Sequence, residues 1–399
     1  MSASTARAVG GRVQAARLAR KMTQRDLSRI SGVSHGMIRA IERGGRKPSD
    51  AVVEALAAAM AVDPMRLLHD PGRSAARIHD SLSALSDVIA SFDCPDDGAV
   101  RPLDQLHQDV AELADWRLSA QYLRIARGAP HLLKELARAV DCSTGAQQRA
   151  QAAALLASAY RSADAVAYKH GAKDLSARLV ELMRWAAEQA DDDLQRAAAA
   201  YVRTETFFSA GAHRAGLRAL ERAVDASPMP DSDNARAARG ALHMRAAVIA
   251  GRDRNAPAAG QHMAEATGLA DRIPEGVYLG TAFGPSSVRV HAVSVAVSLG
   301  QDHLKDALDI GRTWKPPARG RGALPAERRS GFYIELARAQ LWSGRRDAAY
   351  ESLKVARRIA PQATREHPWV REDITTLRRL RRADDEDLSA FAAWCGSVG

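Results

Sequence analysis

Residues 22–48, from Met22 to Pro48, read as two short helices around a tight turn, and this stretch constrains the fold more than any other. Thr23 is placed to cap a first helix over roughly Gln24 to Ile30, because its hydroxyl can accept from a backbone N–H one turn ahead. Gly32 supplies the turn, and Ser34 caps a second helix of about His35 to Arg43. Gly44 stops that helix where a left-handed residue is commonly needed. Leu27, Ile30, Val33, Ile38 and Ile41 are the apolar positions expected to glue the pair together. These signals specify a helix-turn-helix, a module whose second helix enters the DNA major groove. A basic helix alone can be merely a solvated face, but here caps, turn glycine and apolar spacing coincide. Gly32-Val33-Ser34-His35-Gly36 also matches the Gly-x-Ser-x-Gly nucleophile elbow. That motif needs a strand before it, and a helix precedes it here.

Charge points the same way. The 399 residues allow two or three domains and carry a formal net charge of +10. Residues 1–50 hold 11 Lys and Arg against 3 Asp and Glu, so the other 349 residues carry only about +2. Positive charge concentrated at one end suits a polyanionic partner. Cys94, Cys142 and Cys395 are few and far apart, which argues against a disulfide framework or a zinc site. Arg7 and Gly10-Gly11-Arg12 interrupt any apolar run near the start, so no signal peptide is expected. No segment reaches the ~20 apolar residues a bilayer span needs, so no membrane partner is expected. A cytoplasmic, nucleoid-associated protein is the consistent expectation. Heavy use of Arg and Ala with little Lys suggests a high-GC bacterial genome.

Residues 8–69 resemble the Xre family, the repressor-type headpiece of many phage and bacterial regulators. The resemblance rests on Arg17, Thr23-Gln24, Gly32-Val33-Ser34, Ile38-Arg39-Ala40-Ile41-Glu42-Arg43-Gly44 and Pro48-Ser49. It implies a five-helix headpiece, with Ala51 to Leu68 supplying the last two helices. Carried over by position, it implies that Gln24 touches a phosphate at a helix N-terminus. Ser34, His35 and Gly36 would open the recognition helix where side chains meet base edges, with Ala40 one turn further. Gly36 and Ala40 lack the longer polar readers the family often has there, so readout would rest on His35, Arg39 and a thymine-methyl contact from Ala40. Arg25, Arg39, Arg43, Arg46 and Lys47 are the candidate phosphate clamps. Arg17 and Glu42 resemble the family's internal ion pair, a structural feature rather than a functional one.

Asp70-Pro71-Gly72 breaks the headpiece pattern, residues 73–92 look helical, and Phe92 to Pro102 reads as a linker. The expected domains are thus residues 1–70, a connector over 71–102, and a helical body over 103–399. Val288 to Leu299 has period-two valines, but its helical surroundings favour a buried helix. A faint repeat pairs Gly211 with Gly344, Gly216 with Ala349, Leu220 with Leu353, Ala223 with Ala356 and Pro228 with Pro361. Gly251 and Gly300 read as further inter-helix turns. This resembles degenerate tetratricopeptide repeats, which implies an all-α solenoid of helical hairpins behind the headpiece. A generic helical bundle is the alternative.

In such a solenoid the first helix of each hairpin lines the concave surface. With Phe207 at the packing position, helical spacing projects Tyr201, Glu205 and Phe208 into the groove, and matching offsets give Arg245 and Arg338. Two aromatics, a carboxylate and two guanidiniums suit a peptide or an acidic metabolite. Packing for Phe208 and solvated ion pairs for the arginines is the blander reading. Gly280 to Val288 and Arg365 to Arg371 resemble segments of actinobacterial Xre-type regulators, and read as a capped helix start and an inter-helix turn with a helix from Pro368.

No phosphate loop, His-Glu-x-x-His or base-paired cysteine occurs, so neither enzyme, metal site nor cofactor is expected. The expectation is a transcriptional regulator, homodimeric on a palindromic DNA operator, whose body senses a peptide or small-molecule effector. In layout it resembles the Gram-positive quorum sensors. The competing reading is an antitoxin-like or scaffold protein, anchored on DNA, whose body grips another protein.

Overall fold

The computed structural model describes residues 3–46, 48–60, 62, 67, 82–380 and 386–395. The chain is all-α, a helix-turn-helix headpiece followed by a solenoid of helical hairpins. In the headpiece, α1 (Ala3–Ala19), α2 (Gln24–Ser31), α3 (His35–Glu42) and α4 (Asp50–Met60) surround their own core. The fifth expected helix falls largely outside the described residues, as do residues 73–81. Residues 82–90 are helical.

Thr23 caps α2 reciprocally. Its Oγ1 accepts from Asp26 N at 3.1 Å, while Asp26 Oδ2 accepts from Thr23 N at 2.9 Å. Gly32 and Gly44 adopt φ of +71° and +73°, as a turn and a helix stop require. Leu27, Ile38 and Ile41 are fully buried, each contributing about 1.5–3 kcal/mol. Val33 is half-buried, but Ile30 is 52% exposed and does not join the core. The inward stripe of α2 is Gln24, Leu27, Ser28 and Ser31, spaced by three and four, and Ile30 lies off it.

The body begins with α5 (Leu103–Leu118) and α6 (Tyr122–Asp141), then α7 (Ala146–Lys169) and α8 (Lys173–Gln189). Next come α9 (Asp193–Ala210) with α10 (His213–Ala226), and α11 (Asp233–Arg252) with α12 (Ala256–Ala270). After a short hairpin follow α13 (Pro285–Leu299) with α14 (Leu304–Thr313) and α15 (Ala326–Trp342) with α16 (Arg346–Ile359). The chain closes through α17 (Pro361–Glu366), α18 (Pro368–Leu380) and α19 (Glu386–Trp394). The odd-numbered helices α5 to α15 pack successively on one another as an inner layer, and their even partners lie outside. The superhelix also returns on itself, because α15 touches α5.

The repeat seen in the sequence corresponds to α9/α10 and α15/α16. Gly211 and Gly344 sit at equivalent turns with φ of +65° and +75°. Gly300 likewise ends α13. Gly251 is not a turn; it is the penultimate residue of α11, and the turn follows with Arg254 at φ +58°. A Cβ at Gly251 would lie 3.1 Å from the Ser298 side chain, so small size there serves helix packing.

Val288 to Leu299 belongs to α13, and nearly every side of that helix is buried, which is why its valines show no helical amphipathicity. Before it, however, β1 (Gly276–Tyr278) and β2 (Thr281–Phe283) form an antiparallel hairpin where only the start of a capped helix was expected. Leu279 and Gly280, at φ of +47° and +72°, make its two-residue loop. Leucine is a poor signal for such a turn. The helix does start at Pro285, but its cap is remote. Glu275 accepts from Ser287 N at 2.9 Å and from Ser287 Oγ at 2.5 Å. The expected helix start at Pro368 is also present.

Candidate nucleic-acid interface and effector groove

The headpiece presents α3 on a rigid internal clamp. Arg17 Nε and Nη2 fork onto Glu42 Oε1 and Oε2 at 2.7 and 3.0 Å, both side chains being buried. A third donor of Arg17 reaches the Met22 carbonyl at 2.8 Å. Gln24 Nε2 completes the Glu42 carboxylate at 2.7 Å, so this amide donor is turned inward rather than toward solvent. One carboxylate thereby ties α1, α2 and α3 together.

On the outer face of α3, His35, Arg39 and Arg43 follow one another at helical spacing and all are exposed, as is Gly36. Ala40 is half-buried beside them. Ser34 is exposed, but its Oγ accepts from Met37 N at 3.3 Å, which commits it to capping. Arg25 and Arg46 are exposed on either flank, and Lys47 lies outside the described residues. Nothing within this face neutralises its arginines with a carboxylate among the described ion pairs.

The body contains a groove built by the inner helices. Tyr201, Glu205, Phe208 and Arg245 meet there: the Arg245 guanidinium lies 4.4 Å from the Tyr201 ring centroid, 5.8 Å from that of Phe208 and 3.6 Å from Glu205. Arg338 does not join them. It is buried against Asp373, whose Oδ1 accepts from its Nη2 at 3.0 Å, also pairs with Glu372, and stacks on Trp369 at 4.4 Å. The offset that put it in the groove ignores that α18 packs against α15 and covers that position.

Sequence reasoning missed most of the groove. Arg117, Arg161, Asp164, Lys169, Glu327 and Arg328 also line it. Lys169 Nζ reaches Glu327 at 3.2 Å and Arg328 reaches the Tyr201 hydroxyl at 3.3 Å, so α15 bridges across to α7 and α9. Arg161 donates to the Leu279 carbonyl and to Thr281 Oγ1, each at 2.7 Å, and Arg117 donates to the Gly280 carbonyl at 2.7 Å. The hairpin tip is held by these two guanidiniums. One signal was available: Arg161 and Asp164 are the only charged residues between Arg149 and Lys169, in an otherwise alanine-rich run.

Electrostatics in the groove are strongly perturbed. Burial, with Arg117 nearby, pulls Arg161 down to about 9, and it remains charged at neutral pH. Burial and the neighbouring Glu205 push Asp164 well above the usual carboxylate range. Burial alone would raise Tyr201, yet Arg245 and Arg328 bring its phenol down to about 8. Burial likewise opposes ionisation of Glu327, but Lys169 and Arg328 hold it at about 2. Glu335, further along α15, is pushed up to about 7 by burial despite Arg252. Among the described residues no cluster has the makings of a metal site, and no helix is long and apolar enough to cross a membrane. Cys94, Cys142 and Cys395 are free thiols.

The headpiece geometry defines a helix-turn-helix domain, and a family comparison agrees over that stretch alone. Residues 13–67 match the family described as helix-turn-helix. Among solved structures, a crystal structure of Bacillus thuringiensis PlcR in complex with the peptide PapR7 and DNA is remotely similar, at 13% identity and a TM-score of 0.28, over 67% of this chain and 95% of that one. No curated protein matches the chain.

Proposed function

We propose that this chain is a sequence-specific DNA-binding transcriptional regulator whose helical body binds an effector, a peptide or small molecule, in the groove around Tyr201. The observation that carries the proposal is α3 itself: exposed His35, Arg39 and Arg43 share one face of a helix that the Arg17–Glu42 clamp holds rigid. His35 and Arg39 are the candidate base readers, with Arg25, Arg43, Arg46 and Lys47 on phosphates. One headpiece reads only a half-site, so the protein acts as a homodimer on a palindromic operator, with half-sites about one helical turn, roughly 34–36 Å, apart.

Anisotropy titrations of the full chain against duplex fragments of its own genome test this. The expected result is tight binding to a subset of fragments, with log affinity falling linearly with log salt. Absence of salt-sensitive affinity for every fragment overturns it. Footprints on one unrepeated half-site, with a bound monomer by light scattering, would remove the homodimer alone. For the effector, native extract should shift both the melting temperature and the DNA affinity. A stoichiometric protein co-purifying with the chain, with no such shift, makes it a scaffold instead.

A further inference from the structure

We infer that the groove receives a compact dianionic ligand, its phosphate or dicarboxylate head held by Arg117, Arg161, Arg245 and Arg328 around Tyr201. The inference deepens the effector reading and rests on it. Three observations carry it.

The first is space. The inner lobe of the groove measures about 70 Å³ and adjoins an outer lobe of about 170 Å³, with Tyr168, Lys169, Glu205, Arg245, Glu327 and Arg328 common to both. About 10–15 Å³ of such space admits one water, so the inner lobe takes a head group of a few heavy atoms. The outer lobe offers the rest of a compact molecule a mixed wall, with Phe208, Val290 and Ile334 beside Arg252, His291 and Glu335.

The second is charge. The inner lobe gathers five cations, the four arginines and Lys169, against the carboxylates of Asp164, Glu205 and Glu327. Asp164 also accepts from Ser176 Oγ at 2.6 Å, so even with all three carboxylates counted the five cations are in excess. Buried cations in such excess are stabilised by an anion that replaces the water they have lost.

The third is hydrogen-bonding capacity. The Nε atoms of Arg117, Arg245 and Arg328 are buried and have no acceptor among the described residues. None of the four arginines holds a carboxylate in a two-pronged fork, in contrast to Arg17 with Glu42. Planar guanidiniums with free N–H groups around one small cavity are suited to phosphate or paired carboxylates. The lobe is also reachable, since the side chains of Lys169 and Glu327 remain 22% and 32% exposed.

The test uses the full chain with inorganic phosphate and with succinate, read by calorimetry and thermal melting against sodium chloride of equal ionic strength. Above its Kd, each tenfold rise in either probe should raise the melting temperature by about 2–5 °C. Arg328→Gln and Arg161→Gln should each weaken the probe at least tenfold while keeping the wild-type circular dichroism, and Arg218→Gln on the outer layer should not. Because Arg161 also holds the hairpin tip, Arg328→Gln decides the matter if Arg161→Gln misfolds. A shift reproduced by chloride, or kept by Arg328→Gln, overturns the assignment. Competition by the tripeptide Ala-Ala-Asp identifies a peptide terminus as the source of the head, and failure to compete with succinate identifies a free metabolite; both uphold the site. Should phosphate or succinate bind without moving affinity for genomic DNA, the anion site stands and the effector reading falls. Should neither bind while native extract still moves DNA affinity, the effector reading stands and the dianion falls.

Discussion

At the residue scale, partly similar chemistry serves opposite purposes at the two ends of the chain. Arg17 is a buried guanidinium with an acceptor at each of its three nitrogens, so removing it strands the Glu42 carboxylate with Gln24 alone. Arg17→Ala should therefore destabilise the headpiece by about 3–5 kcal/mol, seen as early loss of headpiece structure on heating. An unchanged melting curve would show that the pair contributes nothing. Exposed groups on α3 should instead leave folding alone and alter binding. His35→Ala should relax preference at one base pair by ~1–3 kcal/mol, whereas Arg43→Ala should weaken all sequences and lower the salt slope by about one. Equal loss on specific and random DNA in His35→Ala would mean that His35 reads no base. In the body, Glu335 stays protonated in the fold up to about 7, whereas the unfolded chain releases that proton from 4.5 upward. Its contribution is thus full below pH 4.5 and is lost as pH rises through 7. Glu335→Gln should match wild type near pH 4.5 and exceed it by on the order of 2–3 kcal/mol at pH 8, in denaturant titrations at the two pH values. A gain independent of pH would rule out this account.

At the scale of elements, two glycines make opposite predictions. Gly216 lies in α10 where a Cβ would sit 2.3 Å from Ile249 Cδ1 and 2.9 Å from the Phe207 side chain. Gly216→Ala should overpack α9, α10 and α11 and cost about 1–3 kcal/mol. Gly36 in α3 faces open space, and Gly36→Ala should gain about 0.5 kcal/mol by reducing the freedom of the unfolded chain. Chemical denaturation of both variants checks the pair; a common sign would refute the packing argument. These two positions also show what was legible beforehand. Local signals, such as Thr23 and Ser34 as caps and Gly32 as a turn, act within one helical turn and could be read directly. The Gly216/Ala349 correspondence exposed the hairpin repeat because helix contact demands small residues at fixed spacing. Tyr201, Glu205, Phe208 and Arg245 followed from helical spacing within adjacent hairpins. Arg338 failed because what covers it is α18, which belongs to no repeat. Arg117, Glu327 and Arg328 were illegible for the same reason at longer range, since the closing of the superhelix brings α5 and α15 together.

For the whole molecule, that closure sets the relation between groove and headpiece. The groove lies at the seam where α15 meets α7 and α9, and α15 pairs with α16, on which headpiece helix α4 rests. Beyond that contact, Glu54 of α4 meets Gln121 at 3.4 Å and Arg124 at 3.8 Å, both near the turn between α5 and α6. Each such half-exposed pair is worth no more than about 1 kcal/mol, so these described pairs tie the headpiece to the body weakly compared with its own core. A ligand that favours one closure of the seam needs only the 1–3 kcal/mol typical of coupled sites to redistribute headpiece placements. Glu54→Ala should accordingly leave the melting of headpiece and body within about 1 kcal/mol of wild type while increasing the radius of gyration in small-angle scattering. It should also blunt any effect of phosphate or succinate on DNA affinity, because the body would no longer dictate where the headpiece sits. An unchanged scattering profile with full ligand response would mean that α16 alone carries the coupling, and the weak-dock account would fail.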